Sequence, residues 1–544
     1  MTILLLFTQV HLAFNYLPIE SISTISNFWF FAAVFVLWIL TFMWLLLTDA
    51  TISSEKLEKL ILILIFVLVF PLFWKIALFN GLPAFDGGTF SIGIMTTSSQ
   101  GHLVGPYVAS SDYFAMYPGS FLTGDFFSSI LGLNSFEAVH YFEILTFLIL
   151  VTILFVLFVR ITKSTKLSGL AIVLIVLANQ LLDRWYMHPV VYGVLLFAVM
   201  LFLLSRKNTS SPVLIILVVL AATIDHFITS LLLVAILGTF FLVGRLSRRN
   251  FVSLPTLLFS ILSVVIWVIY MSWTQVLGTV LIPLLDFNLF GTSYVSNLAS
   301  ANVSQVPFWA NATQFASLII VYILGSVATL YILFNRRERK DQNKLFACSA
   351  LVGIASLCLL ATIVSPGGGQ YYRFLLYGSF LTAPMLLLAV KSLGRKWLSM
   401  LIILILVLSF SSFLLSGRSI EQDSWYSYEL SGASFLSGRA ETVYSGSPSV
   451  ANVLGMSGAW NVSWVTLPEP AVLDSKTVLN KTTDLVSNFI VNSQTGYNVF
   501  YMSNRSFFDY ERLFGLDSKL LNNILNPVFT SNKIYDNGYV KIYD

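Results

Sequence analysis

Over the first 416 residues, long apolar runs alternate with short polar connections, and after that the runs shorten. Runs of membrane-spanning length, some of them short, fall at about 2–18, 24–48, 60–79, 136–159, 168–182, 190–205, 211–224, 227–244, 252–272, 314–334, 343–364, 371–390 and 397–416. This pattern predicts a polytopic bundle of about 13 transmembrane helices, a mainly α fold. The first run, ILLLF, has no basic segment ahead of it and no small-residue cleavage site, so it reads as a membrane segment and not a removable signal peptide. Beyond residue 416 the alternating pieces NVSWVTL, YNVFYM and YVKIYD read as strands, separated by turns such as SGSPS and DNGY. Residues 1–416 are therefore expected as a membrane domain, with external loops near 80–135 and 273–313. Residues 417–544 are expected as a small α/β or α+β domain.

One stretch breaks the pattern. In SDYFAMYPGSFLTG, Ser111–Gly124, an acid precedes a Tyr-Pro-Gly turn and apolar sequence follows at once. Proline disfavours helix at Tyr117 and fixes its own φ, while Gly119 permits a sharp redirection. Segment 113–131 is thus expected to re-enter or lie along the interface and to hold Asp112 at a cavity mouth. Backbone that leaves the helix at this depth needs protein or water to satisfy it.

Composition agrees with the runs: 57% of the 544 residues are hydrophobic, 15% aromatic and only 10% charged, which excludes a water-soluble protein. Charge then orients the bundle. One set of connections carries 18 Lys and Arg, from Lys56 to Lys396, and the other carries only Arg184 and Arg373. Retained loops hold the positive charge, so the N-terminus is expected in the cytoplasm and the part after residue 416 outside the cell membrane. The sequons at Asn302, Asn311, Asn461, Asn480 and Asn504 fall on the expected outer side, and only Asn208 falls inside. Residues 417–544 hold nine basic and twelve acidic residues, which gives no basic patch for nucleic acid. The two cysteines, Cys348 and Cys358, lie in an apolar run and imply neither a disulfide framework nor a thiolate metal site.

Polar groups at the outer ends of the runs are few: Asp86, His102, Asp112, Asp125, Asp183, Arg184, His188, Asp225, His226, Asp286 and the group Gln370, Tyr371, Tyr372, Arg373. Acids and arginines placed there can coat a polar cavity without the full cost of burial in lipid. A lone acid at such an edge also reads as a solvated cap, the Asp225–His226 pair as a tight polar turn between spans, and Arg373 as a snorkelling anchor.

The succession of an acid-bearing first external loop, D-Y-x-x-x-Y-P-G-S-F-L from Asp112, His188-Pro189, D-H-F-I-T-S-L-L-L from Asp225, Y-Y-R-F from Tyr371 and N-K-I-Y-D-N-G-Y-V-K-I-Y from Asn532 resembles the GT-C glycosyltransferase superfamily. That superfamily includes oligosaccharyltransferase catalytic subunits, protein mannosyltransferases and lipid-A aminoarabinose transferases. The resemblance implies a pocket at the outer membrane face, a polyprenyl-phosphate-linked sugar donor arriving from the bilayer, and a glycan, lipid or protein acceptor. It maps the catalytic acid to Asp86, with Asp112 as the alternative. It also leaves a divalent cation open: the loop has no Asp-x-Asp, and DSWYSY at 423–428 is the nearest approach to a Trp-Trp-Asp motif, which argues against oligosaccharyltransferase activity specifically.

The chemistry of such a transfer needs a carboxylate to take the proton of the acceptor hydroxyl and a cation or donor cluster to hold the phosphate. Asp86 or Asp112 suits the first task. Arg373, whose planar fork matches phosphate oxygens, suits the second, with Arg184 as a further candidate. His188, His102, Asp225, His226 and Tyr372 complete the candidate substrate- and phosphate-binding set. A transporter or flippase of lipid-linked glycans, and a non-catalytic membrane protein whose outer domain binds a partner, are the competing readings.

Overall fold

The computed structural model describes residues 82–83, 117–133, 135–178, 189–205, 212–247, 252–272, 320–331, 334, 347–355, 370–393, 424–425, 435–436, 442–445, 462–464, 475–492, 498–503, 518–531, 533–536 and 540–543. Strand β1 is Leu82–Pro83. The helices that follow are α1 Gly119–Leu131, α2 Ser135–Thr162, α3 Thr165–Ala178, α4 Pro189–Leu204, α5 Pro212–Asp225, α6 Phe227–Ser247, α7 Leu254–Trp267 and α8 Gln370–Leu393. Residues Ile320–Tyr331 form a further short apolar helix.

Local sequence accounts for several of these boundaries. Helices α4 and α5 open on Pro189 and Pro212, where a missing N–H costs nothing and φ is already helical. Helix α7 is capped by Ser253, whose hydroxyl accepts from the Thr256 amide at 3.3 Å, and Pro255 sits in its first turn. The end of α7 runs into a π-helical segment, Val268–Ser272.

Among the described residues, three helices are long and apolar enough to cross a membrane: Tyr141–Thr162, Phe227–Leu246 and Leu254–Met271. At 1.5 Å per residue these reach about 27–33 Å, close to the hydrocarbon thickness. They coincide with the runs read at 136–159, 227–244 and 252–272. The runs at 168–182, 190–205, 211–224, 314–334 and 371–390 contain shorter apolar helices, while those at 2–18, 24–48, 60–79 and 397–416 lie outside the described residues.

The helices pack through one continuous apolar core. Helix α2 lies against α1, α3 and α4, α5 lies against α4 and α7, and α8 lies against α2 and α3. Helix α1, with 13 residues, is about 20 Å long and too short to span the bilayer. It buries Ser120, Phe121 and Gly124 and exposes Leu122, Phe126 and Ile130, a stripe at four-residue spacing.

After the helices come β2 Ser424–Trp425, β3 Thr442–Ser445, β4 Val462–Trp464, α9 Ser475–Asn492, β5 Asn498–Ser503, α10 Ser518–Phe529, β6 Lys533–Asp536 and β7 Val540–Tyr543. The three alternating sequence pieces are thus strands. Five strands form a mixed sheet in the order β4-β3-β5-β7-β6, parallel on the β3 side and antiparallel at β5–β7 and β6–β7. Helices α9 and α10 pack with it over a core of Tyr444, Leu485, Phe489, Phe500, Leu525 and Tyr543. Separately, β1 pairs antiparallel with β2, Leu82 opposite Trp425 and Pro83 opposite Ser424. This brings residues 82–83, just after the run read at 60–79, beside residues 424–425, which follow the last apolar run.

Candidate functional site

Helix α1 starts where the Tyr-Pro-Gly turn ends. Pro118 is its N-cap, with φ −81° and ψ −2°, and its carbonyl accepts the first helical bond from the Leu122 amide at 2.9 Å. Proline brings no side-chain cap, and the first turn contains no acid. The opening amides of a helix need acceptors from elsewhere and form a partial positive charge.

Asp225 is placed against that end. A Cβ on Gly119 would meet the Asp225 Cα and backbone nitrogen at 3.0 Å, so any side chain there would push the two helices apart by a few tenths of an ångström. The carboxylate is fully buried. Both Asp225 oxygens and the neighbouring Ser120 hydroxyl have no hydrogen-bond partner among the described residues.

The next residue makes a second connection. His226 stands alone between α5 and α6, its amide bonded back to the Ala222 carbonyl at 2.8 Å and its carbonyl accepting from Ser230 at 3.1 Å. Its Nδ1 accepts from the Thr229 amide at 3.3 Å, as an N-cap side chain does. An accepting Nδ1 leaves the ring proton on Nε2. The Thr229 hydroxyl, 2.9 Å from Nδ1, is then the donor to it, and the Tyr377 hydroxyl donates to Thr229 over 2.6 Å. Tyr377 lies in α8, fully buried and edge-on to Phe197 of α4 at 4.8 Å. Gly193 of α4 admits Thr229, because a Cβ there would overlap the Thr229 hydroxyl. Beside it the Thr123 hydroxyl of α1 lies 3.4 Å from the Tyr192 hydroxyl.

Three motifs far apart in sequence therefore converge: Tyr-Pro-Gly-Ser at 117–120, Asp-His-Phe-Ile-Thr at 225–229, and the helix opened by Gln-Tyr-Tyr-Arg at 370–373. Asp225 and His226, 0% and 1% exposed, form a buried one-residue break between α5 and α6. Arg373 and Tyr372 lie in the first turn of α8, one turn ahead of Tyr377, with their side chains outside the described set. Asp86, His102, Asp112, Arg184 and His188 lie outside the described residues; Asp86 is three residues beyond Pro83 of β1, and His188 directly precedes α4.

Sequence reading missed Ser120, Thr229 and Tyr377, which helical spacing from known motif residues would have found: Thr229 is three after His226, and Tyr377 is four after Arg373. It also passed over Glu143, 2% exposed within α2, whose signal was an ionisable residue inside an apolar run. Among the described residues no group of three or more His, Cys, Asp and Glu gathers to hold a metal ion. The divalent cation that the resemblance leaves open has no ligand set there.

No family model matches the chain, and no curated protein matches it by sequence. Among solved structures it is similar to the Archaeoglobus fulgidus oligosaccharyltransferase in complex with Zn and sulfate, at 13% identity over 81% of this chain and 68% of that one, with a TM-score of 0.47. It is also similar to ArnT from Cupriavidus metallidurans in the apo state, at 12% identity over 90% of this chain and 98% of that one, TM-score 0.42. The same ArnT bound to undecaprenyl phosphate gives 11% identity, the same two coverages of 90% and 98%, and a TM-score of 0.41.

Proposed function

We propose that the chain is a membrane glycosyltransferase that moves a sugar from a polyprenyl-phosphate donor to an acceptor hydroxyl at the outer membrane face. The observation that carries this reading is the convergence of the motif segments: the helix that follows the Asp112 loop is seated on Asp225, and the helix that begins at Arg373 is bonded through Tyr377 to Thr229. The sequence resemblance rests on those same segments.

In this reading Asp86, or Asp112 in its place, takes the proton of the acceptor hydroxyl as its oxygen bonds to the sugar's anomeric carbon. The bond from that carbon to the phosphate oxygen breaks, and polyprenyl phosphate leaves with the electron pair. Arg373 holds the phosphate by a two-pronged contact as charge builds on it. Arg184, His188, His102 and Tyr372 are the remaining candidates for contacts to phosphate or sugar. The full burial of Asp225 and His226 supports a bracing role for them in place of substrate contact. The pairing of β1 with β2 puts Leu82 and Pro83, the latter three residues ahead of Asp86 in sequence, beside residues 424–425.

The test is mass spectrometry of lipids that co-purify with the protein, followed by assay of those lipids with membrane acceptors in detergent and in sealed vesicles. Release of polyprenyl phosphate in both formats is expected. Unchanged glycan, moved across the vesicle membrane only when the protein is present, would replace the transferase reading with transport.

A further inference from the structure

Asp225 sits in an electrostatically mixed place. As the last residue of α5 it is at the negative end of its own helix dipole, where an acid is disfavoured. Its carboxylate is nevertheless fully buried, and water is excluded from it. The compensating feature is on another helix: the N-terminus of α1, with first-turn amides that Pro118 cannot cap, closely approaches Asp225 at Gly119. A carboxylate at a helix N-terminus meets both the orphan amides and the positive end of the dipole.

We infer that Asp225 is a positioning residue whose buried carboxylate faces the uncapped N-terminus of α1 from a neighbouring helix, with Gly119 as the close contact between them, and so fixes how α1, the helix that follows Asp112 in sequence, seats in the bundle. This rests on the transferase reading for its consequence, though not for its geometry. His226, next in sequence, anchors the same junction to α8 through Thr229 and Tyr377. The junction thus sets α1 relative to the helix that carries Arg373. Loss of this seating should misalign acid and clamp without removing either.

The full chain in lipid nanodiscs, with Cys348→Ala and Cys358→Ala, can carry spin labels at Phe126→Cys on α1 and Leu246→Cys on α6, positions 67% and 87% exposed. Pulsed electron-spin distances then report the seating of α1 without any substrate. Asp225→Asn should leave the distance distribution as in the parent, because an amide oxygen faces helix amides as well as a carboxylate does. Asp225→Ala and Gly119→Val should each shift or broaden it, and Ser120→Ala, which keeps the amide, should do so less. With polyprenyl-phosphate mannose as the donor probe, Asp225→Ala should lower kcat about tenfold, the scale of one lost contact at a helix start, while its donor KM stays at the parent's. Asparagine behaving like alanine would overturn this seating role in favour of a role for the charge itself. An unmoved α1 in both Asp225→Ala and Gly119→Val would overturn it outright. If the parent does not turn over the probe, the transferase reading loses support while the distances alone decide the seating role.

Discussion

Thr229 has both of its polar atoms committed, its amide to His226 and its hydroxyl to His226 and Tyr377. Replacing it with valine keeps the shape and removes the hydroxyl from a site that is 0% exposed. Thr229→Val should therefore destabilise the protein by about 1–3 kcal/mol. Tyr377→Phe, which removes the bond to Thr229 and keeps the ring, should cost about 0.5–1.5 kcal/mol. Thermal unfolding in nanodiscs checks both, and equal effects would show that the Tyr377 bond carries the whole of it. Chemistry is tested at other residues. Asp86→Asn should reach the membrane at parental levels yet lose roughly 10²-fold or more in turnover, the scale of lost general-base assistance. Near-parental transfer by that variant removes Asp86 from the mechanism, and a loss confined to Asp112→Asn moves the role there. Arg373→Lys should weaken donor binding despite the retained charge, since one ammonium cannot reproduce a bidentate fork.

At the level of elements, helix contacts here depend on small residues where side chains from the neighbour must enter. Without a hydrophobic force between helices in lipid, close packing and interhelical hydrogen bonds hold them together. Gly193 of α4 and Gly238 of α6 make a matched pair for this idea. A methyl at Gly193 would strike Thr229, whereas one at Gly238 meets nothing within 4 Å. Gly193→Ala should cost about 1–3 kcal/mol through overpacking. Gly238→Ala should be neutral or stabilising by up to about 1 kcal/mol, because alanine gives up less backbone entropy in a helix. Similar melting shifts for the two variants would rule out the Thr229 contact as the cause. The elements themselves differed in how far sequence disclosed them. Apolar runs marked the helices, because lipid demands an unbroken apolar surface, and alternation marked β4, β5 and β7. The one-residue break at His226 was visible as a polar pair in an apolar run, but not its burial. Burial there depends on α1 and α8, which come from segments 94 residues or more away along the chain, and local periodicity carries no information on such contacts. The Tyr-Pro-Gly turn was read as a redirection; that it opens a short helix seated on Asp225 became evident only from Gly119.

At the scale of the whole molecule, charge and packing bear on different questions. The helical core fixes which helices touch, and it is indifferent to which side of the membrane they face, since apolar side chains pack alike in either orientation. Orientation rests on the lysines and arginines, through the cost of translocating them during insertion. Their distribution, 18 on one set of connections against two on the other, is far from even. It therefore predicts a cytoplasmic N-terminus, with residues 417–544 on the side where the proposed donor phosphate would be met. Single cysteines at Ser164, in the connection between α2 and α3, and at Ser437, beyond the last apolar run, report the two sides when Cys348 and Cys358 are replaced. A membrane-impermeant maleimide applied to intact cells should label Ser437→Cys at once and Ser164→Cys only after the cells are opened. The reverse pattern would turn the whole assignment over: Asp86, Asp112 and Arg373 would then face the cytoplasm, and transfer at the outer membrane face would no longer be possible for them. Labelling of both positions in intact cells would instead mean an odd number of crossings missing between them, and would send the count of about 13 spans back to the runs shorter than a bilayer.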